Sequence, residues 1–229
     1  MDTISNMYVI QGRTFAPDMV PYRLVITPYG TNLLKQALGF RDASWNQEIS
    51  DYVFQDGTLD HKGIAIPVTW LGFNDRRIVI QVLGDSDAAR AVYSSVRIVL
   101  AQLSPAFEGV EPLLLNEETS CSAHLDFAWT ELLNPKLAAL VSRKVKDLST
   151  KELRKVLKNV SIRFTIGSVT IDEELSEYGV SLTDQLIAVE PKAAVPFAEQ
   201  LYFTYSPCDS DTHLRLVSDI EKVLIKKRS

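Results

Sequence analysis

Residues 78–87, IVIQVLGDSD, join an apolar, β-prone run to the triplet Asp-Ser-Asp. Residues 202–211, YFTYSPCDSD, have the same arrangement in the second half of the chain. After each triplet, apolar residues recur every three or four positions, which predicts amphipathic helices over 89–103 and 214–224. An Asp or Ser that precedes a helix accepts an orphan backbone N–H, and acids in the first turn suit the helix dipole. A metal or phosphate site is the alternative for each triplet, but capping explains both without a ligand.

The segments outside these two units also run in parallel order. A strand at 22–27 followed by a helix from Thr31 corresponds to a strand at 123–129 followed by a helix that opens at Asn134-Pro135. The remaining expected elements are a strand at 8–15, a weak helix at 43–49, a helix with a capping box at 149–152, and strands at 52–59, 64–71, 77–83, 161–171, 180–189 and 201–205.

Each half of the chain therefore reads β-α-β-β-β-α, with one more strand at the N-terminal end. Several successive strands after the first helix favour the α+β class, with an antiparallel sheet that carries helices on one face. The expected division is a first half at 1–104, a linker at 105–120 and a second half at 121–229.

This order of elements resembles the TATA-binding-protein-like fold, in which two related halves share a curved antiparallel sheet with helices on its convex side. The resemblance covers most of the chain and rests on element order and on the repeated strand–triplet–helix unit. No sequence motif of that family is present. A fold resemblance implies an architecture, and function must be argued from the residues themselves.

The composition is that of a globular protein. The chain has 229 residues, 46% of them hydrophobic, and its 24 Lys and Arg against 29 Asp and Glu leave a net charge of −5. The longest run without a charged residue, Gly63–Asn74, is too short to span a bilayer, and the first residues do not resemble a secretory signal. The two cysteines, Cys121 and Cys208, are expected to be reduced thiols, so we expect a cytoplasmic protein that does not enter a membrane.

The acidic balance argues against a general nucleic-acid binder and sets the chain apart from DNA-binding members of the similar fold. One local segment differs, because basic residues are concentrated between positions 143 and 158. A solvated helix face is the simplest explanation of this segment, and contact with an anionic partner is the alternative. The candidate contacts are Arg143, Lys144, Lys151, Arg154, Lys155 and Lys158.

Two Cys and two His form the strongest constellation of possible metal ligands. Cys121-x-x-His124 and Cys208-x4-His213 supply the donor set of a structural zinc site. Residues three apart on a strand point to opposite faces, however, and the second pair flanks the start of a helix. We therefore expect ordinary thiols and imidazoles, with no metal and no cofactor. No phosphate-binding glycine motif and no nucleophile motif occurs either.

His124 and Asp126 lie two apart on the expected strand 123–129 and so share one face. Arg23 and Thr27 occupy roughly similar places on the expected first-half strand. If the sheet is curved, these four residues form the floor of a ligand groove. The alternative is the polar, solvent-facing side of a half-buried sheet.

These patterns favour a non-catalytic binding or assembly module, which uses the sheet groove or the basic helical face. A protein partner or self-association fits it best, and a small molecule is a further option. The alternative is an enzyme, such as a hydrolase, that uses His124 and Asp126 as an acid/base pair on the exposed sheet face. A third interpretation is nucleic-acid binding through the basic helices alone.

Overall fold

The computed structural model describes residues 4–128, 162–166 and 185–226. Within these ranges the chain forms nine strands and four α-helices, together with two short 3-10 turns at Pro105–Phe107 and Phe197–Glu199. The elements in chain order are β1 (Ile4–Thr14), α1 (Tyr22–Val25), α2 (Pro28–Leu38), β2 (Asp42–Asn46), β3 (Asp51–His61), β4 (Ile64–Phe73), β5 (Arg77–Leu83), α3 (Ser86–Leu103), β6 (Leu114–His124), β7 (Ile162–Ile166), β8 (Gln185–Pro191), β9 (Leu201–Ser206) and α4 (Ser210–Lys226).

All nine strands belong to one antiparallel sheet, in the order β2-β3-β4-β5-β1-β6-β9-β8-β7. The strands β1 and β6 pair side by side, and strands of the first half continue outward from β1 while strands of the second half continue outward from β6. The α+β class and the antiparallel sheet predicted from the sequence are confirmed.

The larger hydrophobic core lies between the sheet and the helices of the first half. The apolar stripe of α3, which includes Val92, Val96 and Leu100, is fully buried against alternate residues of the strands, such as Val9 and Ile80. A smaller core fills the second half, where α4 packs against β6 and β9. Its buried members are Ala123, Leu125, Phe127, Val189, Tyr202 and Val217.

The capping role predicted for the repeated triplets is confirmed in both halves. The Asp85 carboxylate accepts the backbone N–H of Ala88 at 2.8 Å at the start of α3, and the Asp209 carboxylate accepts that of Thr212 at 2.9 Å at the start of α4. The hydrogen bonds from Thr212 also lower the pKa of Asp209, because they stabilise its charged form.

The strand predicted at 22–27 is wrong, because this segment forms α1 and the cap of α2. The Thr27 hydroxyl accepts the backbone N–H of Gly30, and Pro28 occupies the first turn of α2. A Cβ at position 30 would lie 2.1 Å from the carbonyl oxygen of Leu24, so glycine permits the close approach of α1 and α2. This tertiary contact overrides the β-prone composition of the segment.

Three other sequence-based boundaries also differ from the structure. Residues 43–49 were expected to be helical, but their first part lies in β2, which pairs with β3. The expected linker at 105–120 includes the first residues of β6, because β1 supplies the pairing partner that keeps residues 114–120 extended. The strand expected to reach Trp129 ends at His124.

The helices expected to open at 134–135 and at 149–152 lie outside the described residues, as does the basic segment 143–158.

Candidate functional site

The structure does not bring the four residues of the predicted groove together. Arg23 lies on α1, and Thr27 is committed to capping α2. His124 is the last residue of β6, and its Nδ1 lies 3.1 Å from the carbonyl oxygen of Glu199. Asp126 follows the strand, and its backbone N–H donates to the Glu221 carboxylate of α4. The predicted groove is therefore wrong for Arg23 and Thr27, because its first-half strand is a helix.

His124 and Asp126 are both exposed, but only His124 lies on β6, because the strand ends there and Asp126 lies in the bend that follows. Burial alternates along this segment, since both side chains are exposed while Ala123, Leu125 and Phe127 are buried in the small core. His124 thus lies on the side of β6 opposite to Cys121, which faces α4. Each polar residue is held by a different neighbouring element, as described above.

Arg23 instead lines a cleft beside α1, which we call the α1 cleft. Its volume is about 700 Å³, within the range of small-molecule sites. The lining combines two aromatic side chains, charges of both signs, and polar and apolar groups from four separate segments. The lining residues are Asp18, Val20, Pro21, Tyr22, Arg23, Leu24, Trp45, Ser50, Asn74 and Asp75.

A buried carboxylate holds two walls of the α1 cleft in place. Asp51, at the start of β3, is fully buried and accepts hydrogen bonds from Asn74 at 2.8 Å and from Arg77 at 2.9 Å. The turn between β4 and β5 is closed by the backbone N–H of Asn74, which donates to the carbonyl oxygen of Arg77. Because these contacts tie β3 to that turn, Ser50 and Asp75 are placed on a fixed frame.

The aromatic part of the α1 cleft is formed by Tyr22 and Trp45. Their ring centroids are 6.2 Å apart, with a tilt of 57° between the ring planes, and 48% of the Trp45 surface is exposed. Burial raises the pKa of Tyr22, and the negative charges of Asp51 and Asp75 raise it further. The second effect places Tyr22 within the electrostatic reach of both carboxylates.

A second polar cluster lies in the second half, between the sheet and α4. The imidazole of His213 is 1% exposed; its Nδ1 lies 2.7 Å from the Ser206 hydroxyl and its Nε2 lies 2.9 Å from the Thr204 hydroxyl. The thiol of Cys121 is 3.5 Å from Nε2, and that of Cys208 is 2.9 Å from the Ser206 oxygen. We call these five residues the His213 cluster.

Burial controls the protonation of the His213 cluster. It lowers the pKa of His213 to about 4, so the imidazole is neutral at pH 7. It raises the pKa of Cys121, against a smaller opposing effect of the Thr204 hydrogen bond. Burial also raises the pKa of Cys208, against the hydrogen bond from Ser206. Both thiols therefore remain protonated at neutral pH, which makes them poor nucleophiles and poor metal ligands.

The four residues of the predicted Cys/His set do not converge. Cys121, Cys208 and His213 meet in the His213 cluster, but His124 lies on the opposite side of β6. Both ring nitrogens of His213 are already within hydrogen-bonding distance of hydroxyl groups. Among the residues that the structure describes, no group of three or more His, Cys, Asp or Glu is arranged to hold a metal ion.

The sequence analysis missed the role of the serine in each triplet. The backbone N–H of Ser86 donates to the Ser210 hydroxyl at 3.2 Å, and the backbone N–H of Ser210 donates to the Ser86 hydroxyl at 2.8 Å. Each serine therefore caps the helix of the other half, 124 residues away in sequence. The Ser86 hydroxyl also donates to Glu117 of β6. The recurrence of serine at the same place in both triplets was the available signal.

We expect the two serines to be energetically coupled. Ser86→Ala and Ser210→Ala each remove one hydroxyl acceptor, and each should lower the free energy of unfolding by about 1 kcal/mol. The double variant should lose less than the sum by about 0.5–1 kcal/mol, because either change removes one bond of the reciprocal pair and weakens the other by loosening the contact between the two helix starts. Urea denaturation of the four proteins measures this coupling. Ser94→Ala, on the exposed side of α3, is the matched control. Strict additivity would contradict the shared cap.

Two comparisons with known proteins, by family model and by curated sequence, found no match. In the described part of the chain, none of the helices has the length and apolar character needed to cross a bilayer.

Proposed function

We propose that this protein is a non-catalytic binding module whose ligand occupies the α1 cleft. One observation carries the proposal: the solvent-open cleft of about 700 Å³ combines the exposed Trp45 with charges that make no ion pair in the described part of the chain, on a frame held by Asp51. Ligand sites typically combine apolar or aromatic walls with a few placed polar groups. Arg23, which the sequence analysis placed on the floor of a sheet groove, lies instead in the wall of the α1 cleft.

Binding is favoured over the alternative of an enzyme by the state of the reactive side chains. His213, Cys121 and their hydroxyl partners are arranged like a proton relay, but His213 and Cys121 are each 1% exposed and no substrate reaches them. Burial also keeps the thiols protonated. His124 and Asp126 are exposed, and each is hydrogen-bonded to a different element, as expected for residues of a surface contact.

The partner interactions predicted from the sequence stay proposals beside this one. A protein partner or self-association at the sheet face opposite α3 and α4 is supported by the 40% exposure of Phe203 on β9. Contact of the basic segment 143–158 with an anionic partner is supported by its charge alone. A cytoplasmic location is supported by two free cysteines, Cys121 and Cys208.

We also propose that the two halves are structural repeats in a TATA-binding-protein-like arrangement. The proposal is supported by the strand order on either side of the β1–β6 pair and by the reciprocal bonds between Ser86 and Ser210. The acidic net charge speaks against a nucleic-acid ligand on that sheet.

Ligand-observed NMR tests the α1 cleft as a binding site. Benzylamine, benzoate and benzyl alcohol share one ring and differ in charge, so together they probe the aromatic pair. At least one of them should receive saturation from the protein, and Trp45→Ala should reduce that transfer by more than half, because the exposed face of the aromatic pair is lost. Tyr29→Ala is the matched control, since Tyr29 is 68% exposed and lies outside the cleft. Equal transfer in wild type and Trp45→Ala would overturn the proposed function.

A further inference from the structure

The charged groups of the α1 cleft are of both signs. Arg23 contributes a guanidinium, while Asp18 and Asp75 contribute two carboxylates. None of the three makes an ion pair in the described part of the chain, whereas Asp51 behind them is paired with Arg77. The walls therefore offer one positive and two negative groups to an occupant.

The aromatic pair lies within this field of charges. Asp75 acts electrostatically on the Tyr22 hydroxyl, which contacts the same cleft as Trp45. Aromatic faces attract organic cations, most strongly on tryptophan, and a neighbouring carboxylate adds to that attraction. A positively charged group over the Tyr22–Trp45 pair would therefore be favoured by both the rings and the acids.

A simple cation or a simple anion fits the α1 cleft less well. Arg23 repels a cation that carries no compensating negative group, while Asp18 and Asp75 repel an anion. A molecule with both charges satisfies all three residues. Its carboxylate would accept charge-assisted hydrogen bonds from Arg23, and its ammonium group would face the rings and the acids.

We propose that the α1 cleft binds a small zwitterion, with a carboxylate on Arg23 and an alkylated ammonium group over Tyr22 and Trp45 beside Asp18 and Asp75. This inference rests on the proposed function of the cleft as a ligand site. The ligand class follows from the charge pattern of the lining residues and not from the volume of the cleft.

Three probes that differ in charge test the charge pattern. Glycine betaine carries both charges, tetramethylammonium carries only the positive charge, and acetate carries only the negative charge. In an amide chemical-shift titration of the full chain, glycine betaine should bind more tightly than either of the other two. The amides that shift should lie at the cleft, near positions 18–24, 45 and 75.

Arg23→Gln separates the contribution of the anion site from that of the cation site. It should weaken the binding of glycine betaine about fivefold or more, because the carboxylate loses its charged partner. The affinity for tetramethylammonium should be unchanged or higher. Asp75→Asn should weaken both probes. Lys192→Gln removes the same charge as Arg23→Gln in the second half and is the matched control. Thermal unfolding of each variant verifies that the fold is retained.

Two results would overturn the inference. One is the absence of saturable glycine betaine binding. The other is glycine betaine binding that Arg23→Gln does not weaken, or that is no tighter than the binding of tetramethylammonium. If the benzyl probes still bind in a Trp45-dependent way, the proposed function stands and only the zwitterion is wrong. If neither set binds, both proposals fall.

Discussion

Glu117→Ala is expected to lower the free energy of unfolding by about 3 kcal/mol. The half-buried carboxylate of Glu117 accepts hydrogen bonds from the Ser86 hydroxyl and, at 2.7 Å, from the Gln11 amide. Gln11 is fully buried, so its amide loses an acceptor that water does not replace. The cost of an unsatisfied buried donor exceeds that of an exposed hydrogen bond.

The position of Glu117 between two helix ends adds to this effect. The N-termini of α3 and α4 meet where Ser86 and Ser210 exchange hydrogen bonds, and both ends carry partial positive charge. The negative charge of Glu117 also favours the charged form of the buried Arg13, whose pKa is lowered by burial. Removing Glu117 therefore leaves less negative charge to compensate the positive charge of the two helix ends and of the buried guanidinium.

Urea denaturation of three variants measures the role of Glu117. Glu117→Gln keeps the shape and loses the charge, so its cost should fall between those of wild type and Glu117→Ala. Glu108→Ala removes an exposed acid and should change the free energy of unfolding by less than about 0.5 kcal/mol. If Glu117→Ala lowers the free energy of unfolding by less than about 1 kcal/mol, with an unchanged urea dependence, the proposed role of the Glu117 charge is contradicted.

Stability is expected to fall by about 2–3 kcal/mol between pH 7.5 and pH 4.5 through His213 alone. Burial lowers the pKa of His213 to about 4 in the folded chain, against an ordinary value of 6.5. Between these two values the unfolded chain binds more protons than the folded chain, so stability rises with pH. The stabilisation by the neutral His213 is fully present above about pH 6.5 and is lost progressively as the pH falls toward 4.

The neighbours of His213 do not compensate for its protonation. In the described part of the chain, the groups that face the ring are hydroxyls and the Cys121 thiol. Burial raises the pKa of that thiol, so none of these groups supplies a negative charge to pair with an imidazolium. Asp209 at the start of α4 has a lowered pKa, and its own contribution to stability is lost only at more acidic pH. The range from pH 7.5 to pH 4.5 therefore isolates the histidine.

Denaturant midpoints across this pH range check the prediction. The His213→Gln variant should lose stability at pH 7.5, because it alters two hydrogen bonds, but it should show a flatter pH dependence than wild type. His124→Gln is the matched control, since His124 is exposed and should leave the wild-type slope unchanged. An equal slope in His213→Gln and wild type would show that another group causes the acid sensitivity.

Local chemistry was sufficient to predict the starts of α3 and α4 and most of the sheet. Asp85 and Asp209 cap helices because capping involves neighbours in sequence, and the apolar periodicity of α3 and α4 follows from the same short range. The alternation that buries Ala123, Leu125 and Phe127 was predicted for the same reason, although the strand itself ends at His124. The α1 segment was mispredicted because its conformation depends on the contact between Gly30 and Leu24.

The α1 cleft was beyond prediction from local patterns. The sequence analysis identified Arg23 as a ligand contact, but placed it on a strand at 22–27 that does not form. Its partners in the cleft, Asp18, Trp45 and Asp75, come from segments with no shared spacing. Only the pairing of β2 with β3 and the Asp51 hydrogen bonds bring them together.

The amino-acid sequence by itself determined the α+β class, the capped helices α3 and α4 and the alternation that buries Ala123, Leu125 and Phe127, because these depend on residues close together in the chain. The tertiary structure decided that both halves share one sheet, that Ser86 and Ser210 cap each other's helices, and that a cleft forms beside α1. Those features join residues that are far apart in sequence, and their energies arise only when the chain has folded.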